Sequence, residues 1–159
     1  MAFDLDALKK AEIEARTSEV RAEALQGFFE EREEPIFRVR GLYGREMALV
    51  REAMDRHANM QDVVNALSTA DQGTQDRIEA IREALGVSTT LPNELVRRIE
   101  TMKYGTVDPE IDEEGAKRIA KGWPIAFFNI TEEILRLTGQ GAQEVKKNGS
   151  SRTRTSDAA

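Results

Sequence analysis

The sequence predicts a mainly α-helical fold: a compact bundle of short helices, with a small β-hairpin near the N-terminus and a disordered C-terminal tail. Apolar residues recur at helical spacing through most of the chain. Single glycines and prolines separate these apolar stretches, as helix stops and starts do. We therefore divide the 159 residues into an N-terminal helix with an acidic linker (1–34), a helical core (35–139) and a disordered tail (140–159).

The N-terminal segment 4–16 is predicted to form an exposed helix with Asp4 as its N-cap. A thin apolar stripe runs along this helix, and it consists of Leu5, Leu8, Ala11 and Ala15, with Ile13 to one side. Such a short helix is marginal alone and needs a partner surface. After it, residues 22–29 suggest a short helical turn, and the carboxylates of residues 30–34 indicate a solvated loop.

The segment Pro35–Arg40 is the best strand candidate. Phe37 and Val39 share one face of an extended chain, whereas Arg38 and Arg40 share the other. We expect this strand to pair with the ambiguous segment around Val20, which gives the small hairpin.

Four helices are predicted in the middle of the chain. The first ends near His57, because the helix dipole favours a cation such as a protonated histidine at a C-terminus. The second begins at Asn59, which is its expected N-cap. The third begins at Thr74 and ends at Gly86, and the fourth begins near Pro92 and ends at Gly105. An extended connector, 106–111, precedes a short helix that Asp112 caps and that continues to about Lys121.

The densest apolar run lies between Gly122 and Gly141 and contains the only tryptophan, Trp123. Pro124 fits the first turn of a helix, and Gly139 is the expected stop. One broad face of this helix is apolar, and it consists of Phe127, Phe128, Ile130, Ile134, Leu135 and Leu137. Its burial would contribute on the order of 10 kcal/mol before ordering entropy is subtracted.

Composition argues against several classes of function. A net charge of −6 opposes binding to nucleic acid or anionic lipid, and no apolar run is long enough to span a membrane. The start of the chain lacks the features of a secretory signal. There is no cysteine, no histidine pair, no glycine-rich phosphate loop and no serine in an elbow context. We therefore expect no enzyme and assign no catalytic, cofactor or metal residues.

One pattern is similar to that of a DNA-binding protein. Between Ile78 and Met102 the chain predicts helix, Leu-Gly-Val-Ser, helix, with Arg97 and Arg98 as the groove-facing side chains of a helix-turn-helix regulator. Three features weigh against this interpretation. The turn is longer than in a usual helix-turn-helix, Glu94 would face the DNA phosphates, and the chain as a whole is acidic. A third alternative is a generic helical module that forms homo-oligomers.

Three stretches together resemble the tail assembly chaperones of long-tailed bacteriophages. They are Pro35-Ile-Phe-Arg-Val-Arg-Gly-Leu-Tyr-Gly-Arg-Glu46, Gly105-Thr-Val-Asp-Pro-Glu-Ile-Asp112, and Trp123-Pro124 followed by Phe127, Phe128 and Leu135-Arg-Leu-Thr-Gly-Gln-Gly141. The resemblance covers roughly residues 17–141. Two departures stand out: Tyr43 replaces a threonine, which removes a side-chain cap, and Trp123 replaces a phenylalanine.

The resemblance implies a non-enzymatic protein of the host cytoplasm that is absent from the mature virion. It would bind the phage tape measure protein, keep its apolar helices soluble and recruit tail tube subunits. Apolar patches on a strongly charged carrier can do this. We expect the client-facing residues to be Trp123, Phe127, Leu5, Leu8 and Ile13.

Overall fold

The fold is described from a computed structural model, which covers residues 2–67, 73, 76–80 and 91–146. The helices are α1 (Leu5–Lys10), α2 (Gly44–Leu67), α3 (Asn93–Gly105), α4 (Glu113–Gly122) and α5 (Pro124–Gln140), with a 3-10 helix at Glu23–Phe28. The strands are β1 (Ile13–Glu14), β2 (Thr17–Arg21), β3 (Ile36–Arg40), β4 (Thr106–Asp108) and β5 (Gln143–Glu144). Residues 73 and 76–80 are also helical. The mainly α fold class is confirmed.

The main sheet is antiparallel, with strand order β2–β3–β4. Val20 lies opposite Phe37, so the segment around Val20 pairs with the predicted strand. Phe37 and Val39 are buried and Arg38 is exposed, as their alternation predicts. The third strand, β4, comes from the segment that the sequence suggested was only an extended connector. It pairs with β3 and ties the sheet to the C-terminal end of α3.

Helix α5 is the centre of the hydrophobic core. Four of its apolar side chains are completely or almost completely buried, and they are Phe127, Ile130, Ile134 and Leu137. They pack with Ile99 and Met102 of α3, Ala116 and Ile119 of α4, and Phe37 and Val39 of β3. Ala22 and Leu25 belong to the same core, so the division at residue 34 does not separate two cores.

Two glycines let neighbouring backbone approach α5 closely. A Cβ added to Gly105 would lie 2.5 Å from Cγ2 of Ile134. A Cβ added to Gly41 would lie 3.0 Å from the backbone carbon of Leu137. Beside Gly41, the backbone N–H of Leu42 donates to Oγ1 of Thr138 at 2.9 Å. Helix α5 is thus held by backbone contacts as well as by its apolar face.

Strands β1 and β5 pair with each other, which corrects two predictions. Helix α1 ends at Lys10 instead of Arg16, because Ile13 and Glu14 form a strand opposite Glu144 and Gln143. The N–H of Val145 also donates to the carbonyl oxygen of Glu12 at 2.8 Å. Residues 141–146 therefore do not belong to a disordered tail, since they satisfy backbone groups of the N-terminal segment. Residues 147–159 lie outside the described part.

The predicted helix that ends near His57 and the predicted helix that begins at Asn59 are one continuous helix, α2. Asn59 is an exposed internal residue of α2, where an asparagine costs less than about 1 kcal/mol. His57 therefore lies mid-helix rather than at a C-terminus. Its Nε2 atom is 2.9 Å from the carbonyl oxygen of Leu91, so it links α2 to the residues just before α3. The predicted helix 74–86 lies mostly outside the described residues.

Two of the predicted N-caps are confirmed. Asp4 and Asp112 accept hydrogen bonds from the backbone N–H groups of Ala7 and Gly115 at 2.9 and 2.7 Å. Pro124 occupies the first turn of α5. The predicted stop at Gly139 is wrong, because α5 continues to Gln140 and the glycine with a positive φ, 75°, is Gly141. Gly141 has the backbone freedom that this conformation requires.

Candidate docking groove

An apolar groove of about 1100 Å³ lies between the 3-10 helix, the sheet and α4. Its floor contains the buried side chains of Leu25, Phe37 and Ile119. Because the floor side chains belong to the hydrophobic core, the groove is an opening onto the core rather than a separate cavity.

Two aromatic side chains form one lip of the groove, which we call the aromatic lip: Phe28 and Trp123. Their ring centroids are 5.1 Å apart, with the planes at 80°, in an edge-to-face arrangement. Phe28 is 72% exposed, although a phenylalanine has no polar group to place in water. The next residue, Phe29, packs edge-to-face on Phe37 at 5.6 Å. The lip therefore leaves a large aromatic surface unpartnered.

The rim of the groove is charged. Four carboxylates line it, and they are Glu30, Glu33, Glu34 and Asp108. Two cations, Arg118 and Lys121 of α4, line it as well. All six residues are exposed. The groove thus combines an apolar floor with a predominantly acidic rim.

The wall that α4 contributes is low at Gly122, next to the longer side chains of Arg118 and Lys121. The residues of α4 that line the groove include Gly115, Ile119 and Gly122, which follow one another at helical spacing. A Cβ added to Gly122 would meet no atom within 4 Å. The space above this end of α4 is therefore open to a bound chain.

The structure brings only one of the five predicted contact residues to this groove. Trp123 lines it and is partly buried. Phe127 is 0% exposed and belongs to the core, so it presents no contact surface. Its expected role as a client-facing residue is corrected: the face of α5 that carries Phe127 packs on the domain itself.

The other three predicted contact residues are exposed, but they do not line the groove. Leu5, Leu8 and Ile13 retain half or more of their exposure, and α1 has no buried residue. Phe3, also near the N-terminus, is 78% exposed. Sequence reasoning missed Phe28, for which the available signal was two adjacent aromatics in a short helical turn.

Residues 35–46, the first of the three stretches that carry the resemblance, form a hydrogen-bonded junction between β3 and α2. Nη1 of Arg40 donates to Oε2 of Glu46 at 2.9 Å, and Nη2 donates to the other carboxylate oxygen. The N–H of Tyr43 also donates to Glu46, at 2.9 Å. Burial alone would raise the pKa of Glu46, but these hydrogen bonds and the charge of Arg40 outweigh it and hold the pKa below its ordinary value.

Tyr43 replaces the missing side-chain cap with another contact. Its hydroxyl accepts a hydrogen bond from the backbone N–H of Ala15 at 2.9 Å. The guanidinium of Arg40 lies 5.3 Å from its ring centroid. Tyr43 therefore anchors the segment before β2 to the start of α2.

Arg98, one of the two residues expected to face DNA, is engaged within the domain. Its side chain is 12% exposed and donates to Oγ1 of Thr131 at 2.9 Å and to Glu132 at 3.1 Å. Its guanidinium also lies 4.5 Å from the ring centroid of Phe128. These contacts fasten α3 to α5. The turn of the suggested helix-turn-helix lies outside the described residues.

Within the described ranges, no group of three or more metal-ligating side chains converges. None of the helices in those ranges combines the length and hydropathy that a bilayer crossing requires. Comparison with models of known protein families, with curated proteins and with solved structures found no match to this chain.

Proposed function

We propose that this protein is a non-enzymatic tail assembly chaperone of a long-tailed bacteriophage. It binds the tape measure protein, keeps the apolar helices of that protein soluble and recruits tail tube subunits around it. It acts in the host cytoplasm and leaves before the virion is complete.

The observation that carries the proposal is the apolar groove with its aromatic lip. An exposed phenylalanine beside a partly buried tryptophan is typical of interfaces, where aromatic side chains supply much of the binding energy. The charged rim and the net charge of −6 keep such a carrier soluble while its apolar surface is open. A chaperone for apolar helices needs both properties.

The three stretches that carry the resemblance also support the proposal, because they form one structural unit around α5. The first contributes Gly41 and Leu42, which contact the C-terminal half of α5. The second contributes Gly105, which contacts Ile134, and β4, which pairs with β3. The third is α5 itself with Trp123. The order and spacing of these stretches thus correspond to a packed scaffold that supports the groove.

The experiment is a co-expression pull-down with a tape measure candidate, chosen by searching the neighbouring genes for one that encodes a very long helix-rich protein. We expect the chaperone to retain it in soluble form. Phe28→Ala should weaken binding about 30-fold, as truncation of a buried interface aromatic does. Ile125→Ala is the matched control, because Ile125 is 75% exposed but does not line the groove.

Unfolding curves of both variants show whether the fold is intact. A folded wild-type protein that leaves the tape measure candidate insoluble would refute the proposal. Equal binding by the Phe28 and Ile125 variants would exclude the groove as the contact surface.

A further inference from the structure

We infer that the groove binds one amphipathic helix of two to three turns whose apolar stripe is flanked by lysine or arginine side chains. The inference rests on the proposed function and identifies the kind of tape measure segment that the groove selects. It follows from the size of the groove, the position of its polar groups and the charge of its rim.

The size of the groove fits a short helical segment. A helix about 10 Å across with a pitch of 5.4 Å occupies roughly 420 Å³ per turn. The volume of about 1100 Å³ is therefore comparable to that of roughly two to three turns. The aromatic lip provides a large apolar surface at one end for the apolar stripe of that helix.

The position of the polar groups favours a polypeptide over a small molecule. Small-molecule sites place a few polar groups inside an apolar pocket to orient the ligand. Here the charged lining residues are all exposed, and the buried lining residues with large side chains are apolar. An amphipathic helix matches this arrangement, because its apolar stripe meets the floor and its polar flanks meet the rim.

The charge of the rim selects the flanks of the helix. Glu30, Glu33 and Glu34 lie within five residues on one wall, and Asp108 adds a fourth carboxylate. Two of the rim groups already have a partner of opposite charge. Nε of Arg118 is 3.4 Å from Oε1 of Glu114, and Oε1 of Glu34 is 3.7 Å from Nη1 of Arg21. This leaves Glu30, Glu33 and Asp108 against Lys121. The rim therefore presents an excess of negative charge, which a basic flank complements and an acidic flank opposes.

The low wall at Gly122 gives the helix room to approach α4. A side chain added there would project into open space rather than into the domain, since an added Cβ meets no atom within 4 Å. Gly122→Leu should therefore obstruct the groove and leave the fold intact. Gly139→Leu is the matched control, because Gly139 is an equally open helical glycine that does not line the groove.

The test uses three stapled helical peptides of about 11 residues, which is three turns, with the same leucine stripe. One has lysine flanks, one has glutamate flanks, and one has the lysine composition in scrambled order. Fluorescence anisotropy measures their affinity for the full chain. We expect the lysine-flanked peptide to bind about tenfold more tightly than the glutamate-flanked one, from three exposed ion pairs. The scrambled peptide should not bind.

Two variants then locate the site. The double variant Glu30→Lys, Glu33→Lys should reverse the preference between lysine and glutamate flanks. Gly122→Leu should weaken binding of the lysine-flanked peptide at least tenfold, whereas Gly139→Leu should change it less than twofold. The inference is overturned if flank charge has no effect, if the double variant keeps the original preference, or if the two leucine variants behave alike. The charge reversal decides the matter even if Gly122→Leu fails to fold.

The same variants are tested with the tape measure candidate, which separates this inference from the proposed function. If the wild type holds that protein in solution and Gly122→Leu does so equally well, the groove inference fails and the proposed function stands. If the wild type does not hold it, the proposed function fails, and the peptide measurements alone decide what the groove binds.

Discussion

Replacing Gly105 by alanine would place a methyl group against Ile134, at the point where α3 meets α5. The added Cβ would lie 2.5, 2.7 and 2.8 Å from Cγ2, Cδ1 and Cγ1 of Ile134. Real Cβ contacts are longer, and Ile134 is completely buried, so its side chain can shift only against other side chains of the core.

The expected cost follows from two opposing terms. Alanine stabilises a helical position by up to about 1 kcal/mol relative to glycine. Overpacking of a dense core costs about 1–3 kcal/mol. We therefore expect Gly105→Ala to lower the free energy of unfolding by about 1–2 kcal/mol. For a chain of this size the Tm should fall by roughly 2–8 °C.

Urea unfolding of a double-mutant cycle tests whether Ile134 causes this loss. Ile134→Ala removes all three close atoms and by itself costs about 2–5 kcal/mol. In that background Gly105→Ala should be neutral or stabilising, which gives a coupling energy of at least about 1 kcal/mol. Gly139→Ala is the control and should stabilise by about 0.4–1 kcal/mol. A wild-type stability for Gly105→Ala, or additive effects in the cycle, would refute the packing described here.

Three further predictions concern the core, the junction and the link between α3 and α5. Phe127→Ala should lower the free energy of unfolding by about 3–5 kcal/mol and Phe28→Ala by less than about 1 kcal/mol, so similar losses in urea unfolding would contradict the burial of only the first. Because the pKa of Glu46 is depressed in the folded protein, its carboxylate stabilises the fold above the ordinary glutamate pKa of about 4.3, and this contribution is lost as the pH falls below that value. The difference in unfolding free energy between wild type and Glu46→Gln should therefore shrink between pH 6 and pH 3. A constant difference would contradict the role of Arg40. Arg98→Lys should lower the Tm, because lysine cannot reproduce the planar donor pattern toward Thr131 and Glu132, and an unchanged Tm would show that these bonds contribute nothing.

The elements with strong local signals were predictable from the sequence. Helix α5 has a long apolar period, a proline at its start and a glycine just after its end, and each signal is local. The helical periodicity does not distinguish which of Phe127 and Phe128 is buried, because adjacent residues lie only about 100° apart on a helix and both border a broad apolar face. The structure buries Phe127 and leaves Phe128 44% exposed beneath Arg98.

The pairing of β1 with β5 could not be predicted from the sequence. Strands β1 and β5 are two residues long, which is too short for an alternation to be visible. Their partners lie at opposite ends of the chain, so the pairing depends on how the rest of the domain folds. At Asn59 the local signal in the sequence is false. Asparagine is typical of helix starts, but Asn59 lies within α2, where tertiary packing outweighs this weak preference.

The groove could be predicted only in part, because its walls come from the 3-10 helix, the sheet, the connector and α4. Trp123 was suggested as a contact residue since it is large and lies at a helix start. Phe28 becomes notable only when its ring is found on the surface against Trp123. The acidic residues 30–34 were expected to form a solvated loop, and they do lie exposed, but their position on the groove rim depends on tertiary structure.

We propose that the groove holds an amphipathic helix of the tape measure protein. The most direct measurement is the amount of tape measure candidate kept soluble by the wild type, by Gly122→Leu and by Gly139→Leu at equal expression. We predict that the wild type and Gly139→Leu retain it, and that a folded Gly122→Leu loses most of it. Equal retention by all three proteins would contradict the claim.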